Sequence, residues 1–135
     1  MFKIDYKFRS TKLFTFIYLL LFLFALFLTI GRWASQYTTF VIINSEINSH
    51  ISNFSLSLLA YLGIGYTWLF TGINFNRILL LGVVFVLGNI YCETLMTFLN
   101  IPDIIDAYFG IAGTLLAFAY LLAVKVFGLI PIDDK

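Results

Sequence analysis

The chain has 135 residues, eight Lys and Arg against seven Asp and Glu, and a net charge near +1. Hydrophobic residues make up 61% and charged residues only 11%, with a mean hydropathy of +0.99, whereas a soluble domain carries about 25% charged residues to cover its surface. This excludes a soluble enzyme, a disordered linker and a nucleic-acid binder with a basic field, and leaves a small integral membrane protein.

The N-terminal residues Lys3, Lys7, Arg9 and Lys12 lead into an uncharged run, LFTFIYLLLFLFALFLTIG, over 13–31. A bilayer-crossing helix needs roughly 20 apolar residues, so this run is the first expected span. The basic lead resembles a secretory signal. The apolar region is too long for one, however, and Ile30-Gly31-Arg32-Trp33 offers no small-x-small cleavage site, so the run is expected to stay as an anchor.

Residues 32–53 form the longest expected non-spanning segment. Within it Thr38-Thr39-Phe40-Val41-Ile42-Ile43 is too short to cross and is expected to lie along the interface. Asn44, Ser45, Asn48, Ser49, Ser52 and Asn53 then make a polar approach to the second helix, with Ser or Asn suited to cap it. Further spans are expected over about 54–73, 78–99 and 104–124. The runs are continuously apolar rather than alternating with period two, which selects helices over a barrel. The expected fold is therefore all-α: one membrane domain over 1–135, built as a four-transmembrane-helix bundle.

Positive charge sets the orientation. Four of the eight basic residues lie in the first twelve positions, Arg77 sits in the second loop, and the third loop is acidic. Both termini are expected in the cytoplasm, with the first and third loops outside.

Four titratable residues stand out. Glu93 lies inside the third span, where an acid costs a few kcal/mol and normally faces a bundle interior or a wet cavity. Asn89, Glu93, Thr97 and Asn100 recur at helical spacing and make one polar stripe; a plain interhelical hydrogen bond is the alternative reading. Asp103 and Asp106, behind Pro102, share a face at the start of the fourth helix, where capping and dipole complementation compete with a binding role. His50, the single histidine, precedes the second span. With both termini inside, all four fall at the outer ends of their helices, and Glu93 and Asp106 are expected to meet His50 in one outward polar pocket.

Gly110, Gly113 and Ala117 follow Asp106 on its face and form a small-residue track for close helix packing. Cys92 is the one cysteine, so neither a disulfide framework nor a Cys-based zinc site is expected, and a small buried residue is its plain reading. Oxygens with a single imidazole are a weak metal signature, and neither metal nor cofactor is expected. No G-x-S-x-G, P-loop or H-E-x-x-H motif occurs, so no catalytic residue is assigned.

The segment ETLMTFLNIPDIIDAYFGIAGTLLA, from Glu93 to Ala117, resembles the VanZ-like family of small bacterial membrane proteins. Glu93, Asp103, Asp106 and Gly113 fall at places matching that family's acid, short loop, D-x-x-D-like entry and spaced Gly, and His50, Phe54 and Leu56 resemble the start of an earlier span. Where the family has Gln and Asn, this chain has Met96 and Gly110, and the family's loop Arg is missing. If that Arg neutralises the acids, Arg32 or a bound cation must replace it here. The resemblance implies a multi-pass protein of the bacterial cytoplasmic membrane linked to lipoglycopeptide sensitivity, with no settled catalysis. A lipid or cell-wall precursor headgroup is the expected ligand. The alternatives are a structural subunit of a larger membrane complex or homo-oligomer and, with thinner support, a channel or holin-like pore.

Overall fold

A computed structural model describes residues 3–95 and 102–133. Its four helices are α1 (Lys12–Ala34), α2 (Ser45–Phe70), α3 (Phe75–Thr94) and α4 (Ile104–Ala123), and α4 runs on into a π-helical turn, Val124–Gly128. Each α-helix opens at a side chain able to take an orphan backbone N–H. Thr11 accepts from Phe14 N, Asn44 from Ile47 N, Asn74 from Asn76 N and Asp103 from Ile105 N.

Among the described residues, three helical stretches are long and apolar enough to cross a membrane: Lys12–Ala34, Phe75–Thr94 and Ile104–Gly128. Helix α2, expected as a span over 54–73, is not one of them, although it is the longest at 26 residues. It begins at Ser45, well before the expected start, and spends its first turns on polar residues. Its place in the bundle explains the lower hydropathy. α2 packs against α1, α3 and α4, and Leu58, Tyr61 and Leu62 are fully buried. A helix shielded by its neighbours can afford serines and tyrosines that a lipid-facing one cannot. Tyr61 illustrates this, donating its hydroxyl to the Ile78 carbonyl at 2.8 Å.

The α2–α4 contact is the most extensive in the bundle. A Cβ placed on Gly113 would run into the backbone carbonyl of Phe54, and Ala117 is fully buried in the same seam. Small residues let the two backbones approach in this way.

Two short strands come as an addition to the expected all-helical fold. β1 (Phe8–Ser10) pairs antiparallel with β2 (Leu129–Pro131), Phe8 opposite Pro131 and Ser10 opposite Leu129. Lys7 N donates to Phe70 O at 2.8 Å and Ile132 N to Lys7 O at 2.9 Å, so the ribbon also holds the end of α2. The sharp exit from α2 uses Gly72 at φ 77°, a left-handed position that side chains disfavour. A tyrosine cluster lies above: Tyr18 stacks on Tyr66 at 4.0 Å, and Tyr120 donates to Phe14 O at 2.6 Å.

The ribbon puts both chain ends at one end of the bundle. Lys3, Lys7, Arg9, Lys12, Arg77 and Lys125 belong to that end, with Lys125 lying over the Phe75 ring at 4.7 Å. The opposite end carries Glu46, His50, Glu93, Asp103 and Asp106, with Arg32 as a basic residue.

Candidate functional site

The acidic end is organised by the turn between α1 and α2, residues 35–44, which is shorter than the expected loop because both flanking helices extend into it. The turn folds back on the bundle through Ile42, while Phe40, Val41 and Ile43 stay exposed. Ile42 is buried against Leu28 and Ile51, and Gly31 leaves room for it. Asn48, buried in the first turns of α2, fastens this arrangement: its carbonyl accepts Ile42 N at 3.1 Å and its amide donates to Ser35 Oγ at 3.1 Å. Next to it Asn44 N reaches Ile42 O at 2.7 Å across Ile43, whose φ of 61° makes this a strained positive-φ γ-turn for a β-branched residue.

This frame sets the start of α2 beside the start of α4, and three of the four titratable residues meet there. His50 Nδ1 donates to Asp106 Oδ1 at 2.7 Å and lies 3.6 Å from Asp103 Oδ2. The side chains are 12% exposed for His50, 20% for Asp106 and 38% for Asp103, so the group is a half-buried rim. The imidazole also packs on Phe109, ring centres 5.5 Å apart. Asp103 caps α4, one carboxylate oxygen accepting Ile105 N at 3.0 Å while the other faces His50. One nitrogen and two carboxylate oxygens, all within 4.8 Å of one another, are a donor set of the kind that holds a metal ion. Arg32, weighed as a partner for the acids, instead donates to Ser35 Oγ at 3.2 Å.

Glu93 lies in an adjoining place and is not one of those three converging donors. It is buried, and with Asn89, Ser57, Asn53 and Cys92 it lines a cleft of about 400 Å³ between α2 and α3. An acid in the last turn of a helix opposes the helix dipole, so helix stability does not account for it. Asn89 donates to Ser57 Oγ at 3.1 Å and to Phe85 O at 2.9 Å, the interhelical glue that the stripe allowed. Gly110 makes room for it, because a Cβ there would collide with the Asn89 amide. Thr97 and Asn100, the rest of the stripe, lie outside the described residues. Cys92 is exposed on the bundle surface, against the expectation of burial, because it falls beside the inward face carrying Asn89 and Glu93.

A feature that the sequence reading missed adjoins the His50 group. A groove of about 620 Å³, lined almost wholly by carbon, runs between α1 and α4 under the folded-back turn. Phe24 and Phe27 form one wall, Tyr108 and Phe109 the other, Ile42 and Ile51 the upper end, and Ala112 lies along it. The aromatic pairs 24/27 and 108/109 were a possible signal. Apolar residues lining a groove have the same composition as apolar residues facing lipid, however.

Fold and site together define a helical-bundle protein with membrane-length apolar helices and a His–Asp–Asp rim at one end. Set against protein-family models, curated proteins and solved structures, the chain matches none of them.

Proposed function

We propose that this chain is a four-span, VanZ-like envelope protein of the bacterial cytoplasmic membrane that binds a lipid or lipid-linked cell-wall precursor. The headgroup sits at His50, Asp103 and Asp106, and the hydrocarbon chain lies in the groove beside them. The observation that carries this reading is their continuity. Phe109 supports the His50 ring on one side and walls the groove on the other, so a polar rim and an apolar slot of lipid dimensions share one residue. In this reading α2 is the fourth span, tolerated because its neighbours cover it. The split of basic and acidic residues between the two ends supports cytoplasmic termini and an outward rim.

Binding rather than turnover is the role proposed, since the described residues of the rim are a hydrogen-bonded histidine and two carboxylates. The link to lipoglycopeptide sensitivity rests on the resemblance of 93–117 to the VanZ-like family. A structural-subunit role is favoured less, because the Gly110–Gly113–Ala117 track is taken up by α2 and α3 of the same chain. Native mass spectrometry of the detergent-purified protein provides the test. Bound lipid is expected on the unaltered chain and lost on Ala112→Phe, which fills the groove, and on His50→Ala. Wild-type lipid occupancy in both variants would overturn the proposal.

A further inference from the structure

We infer that His50, Asp103 and Asp106 bind a first-row divalent cation of the Zn²⁺ or Mn²⁺ type, and that a phosphate-bearing headgroup completes its coordination. The second half rests on the lipid-binding reading above; the first half does not.

The geometry is the starting point. Ligands about 2.1 Å from a metal stand roughly 3.0 Å apart at neighbouring octahedral positions and about 3.4 Å apart at tetrahedral ones. His50 Nδ1 is 2.7 Å from Asp106 Oδ1 and 3.6 Å from Asp103 Oδ2, values that bracket both figures. The two carboxylate oxygens lie within 4.8 Å of each other, so an ion can enter by drawing the Asp103 and Asp106 side chains together, replacing the shared proton.

Charge is the second observation. Among the described residues, no Lys or Arg nitrogen lies within 4.0 Å of either carboxylate, and His50 is their one ionisable partner. Arg32, the basic residue at this end of the bundle, is engaged with Ser35. Two carboxylates at a half-buried rim thus share a single imidazole and the positive end of the α4 dipole, with no full positive charge from Lys or Arg beside them. A divalent ion supplies the balance.

The donors are also held in place by contacts outside the cluster, as metal ligands are. Asp103 keeps one oxygen on Ile105 N–H and presents the other, while Phe109 supports the His50 ring. Donor chemistry selects the ion. The imidazole favours Zn²⁺ over Mg²⁺, the two carboxylates also suit Mn²⁺, and three donors are too few for a calcium cage of six to eight oxygens. Three protein ligands leave at least one position open. A lipid phosphate, itself repelled by two bare carboxylates, is attracted once the ion is present.

The plain alternative is a structural hydrogen bond tying α2 to α4, and Asp106→Asn separates the two readings. Its amide oxygen still accepts from Nδ1–H, so the tie is kept while the charge is lost. Untagged full-length protein on a Cys92→Ser background is stripped with EDTA and titrated with Zn²⁺ and Mn²⁺ alone. One ion per chain is expected, with affinity at least tenfold weaker in Asp106→Asn and His50→Gln and unchanged in Glu46→Gln. Melting curves establish that the variants are folded. No stoichiometric binding to the parent, or binding equally strong in both site variants, overturns the cation site.

Retention of phosphatidic acid, compared with diacylglycerol and with or without EDTA, tests the second half. Loss of phosphatidic acid on chelation supports a metal bridge, whereas retention despite chelation overturns the bridge and leaves the headgroup reading standing. If neither lipid is retained with metal present, the headgroup reading fails and the bridge fails with it, while the metal titration alone decides the cation site.

Discussion

Replacing Gly113 with alanine adds one methyl group where α4 meets the backbone of α2, and the cost can be worked from the coordinates. The new Cβ would overlap the Phe54 carbonyl oxygen and stand 3.0 Å and 3.2 Å from its carbonyl carbon and Cα. Ordinary contact begins near 3.4 Å, and backbone atoms of a helix cannot rotate aside as a side chain would. Helices α2 and α4 must therefore part by about 1 Å, and a gap of that order forfeits roughly a quarter to a half of the dispersion well for each contact it opens. Overpacking of this kind costs about 1–3 kcal/mol and sometimes more. Alanine's better helix propensity returns up to about 1 kcal/mol. A net loss of about 2 kcal/mol is expected, a change of roughly 30-fold in the folding equilibrium. Gly63 and Gly88 serve as internal controls, because a Cβ on either meets nothing within 4 Å. Alanine at those positions should be neutral or slightly stabilising. Unfolding of the three variants by SDS titration from detergent micelles compares them directly. If Gly113→Ala unfolds with the parent protein, or Gly63→Ala falls as far as Gly113→Ala, the close-approach argument is refuted.

Two other outcomes follow from the same structure. On a Cys92→Ser background, cysteine at Ser49 should react with a membrane-impermeant maleimide on intact cells, and cysteine at Arg77 only after permeabilisation; the reverse pattern would put the rim on the cytoplasmic side. Asn48→Ala removes an acceptor from Ile42 N and a donor to Ser35 in a buried setting, so a loss of about 1–3 kcal/mol is expected, together with faster hydrogen exchange at the Ile42 amide. Unchanged exchange there would mean that something other than Asn48 holds the turn.

The helices were legible because an uninterrupted apolar run of membrane length has few other uses, and α1 shows this most directly. α2 was legible only in its second half. The polar residues from Ser45 to Asn53 do not read as a span, and their helix follows from the Asn44 cap and the packing of Asn48 and Ile51, which local hydropathy does not register. The convergence of His50 with Asp103 and Asp106 could be anticipated, because helices joined by short connections return to the same end. The separation of Glu93 into a neighbouring cleft depends on how α3 is rotated about its axis, and rotation is decided by contacts such as Asn89 against Gly110. The β1–β2 ribbon was out of reach, since a three-residue strand shows no periodicity and its partner lies at the far end of the chain.

That ribbon has a consequence for how the molecule is made. Phe8 is synthesised before the four helices, yet its strand partner Pro131 emerges after all of them. The segment ahead of α1 therefore waits, unpaired, through the synthesis of every helix, and its closure joins residues more than a hundred positions apart. Such a contact bears a large loop-closure entropy unless the helices between have already brought its ends together. The ribbon works as a check on assembly: it closes only around a bundle whose helices have returned both chain ends to the same face.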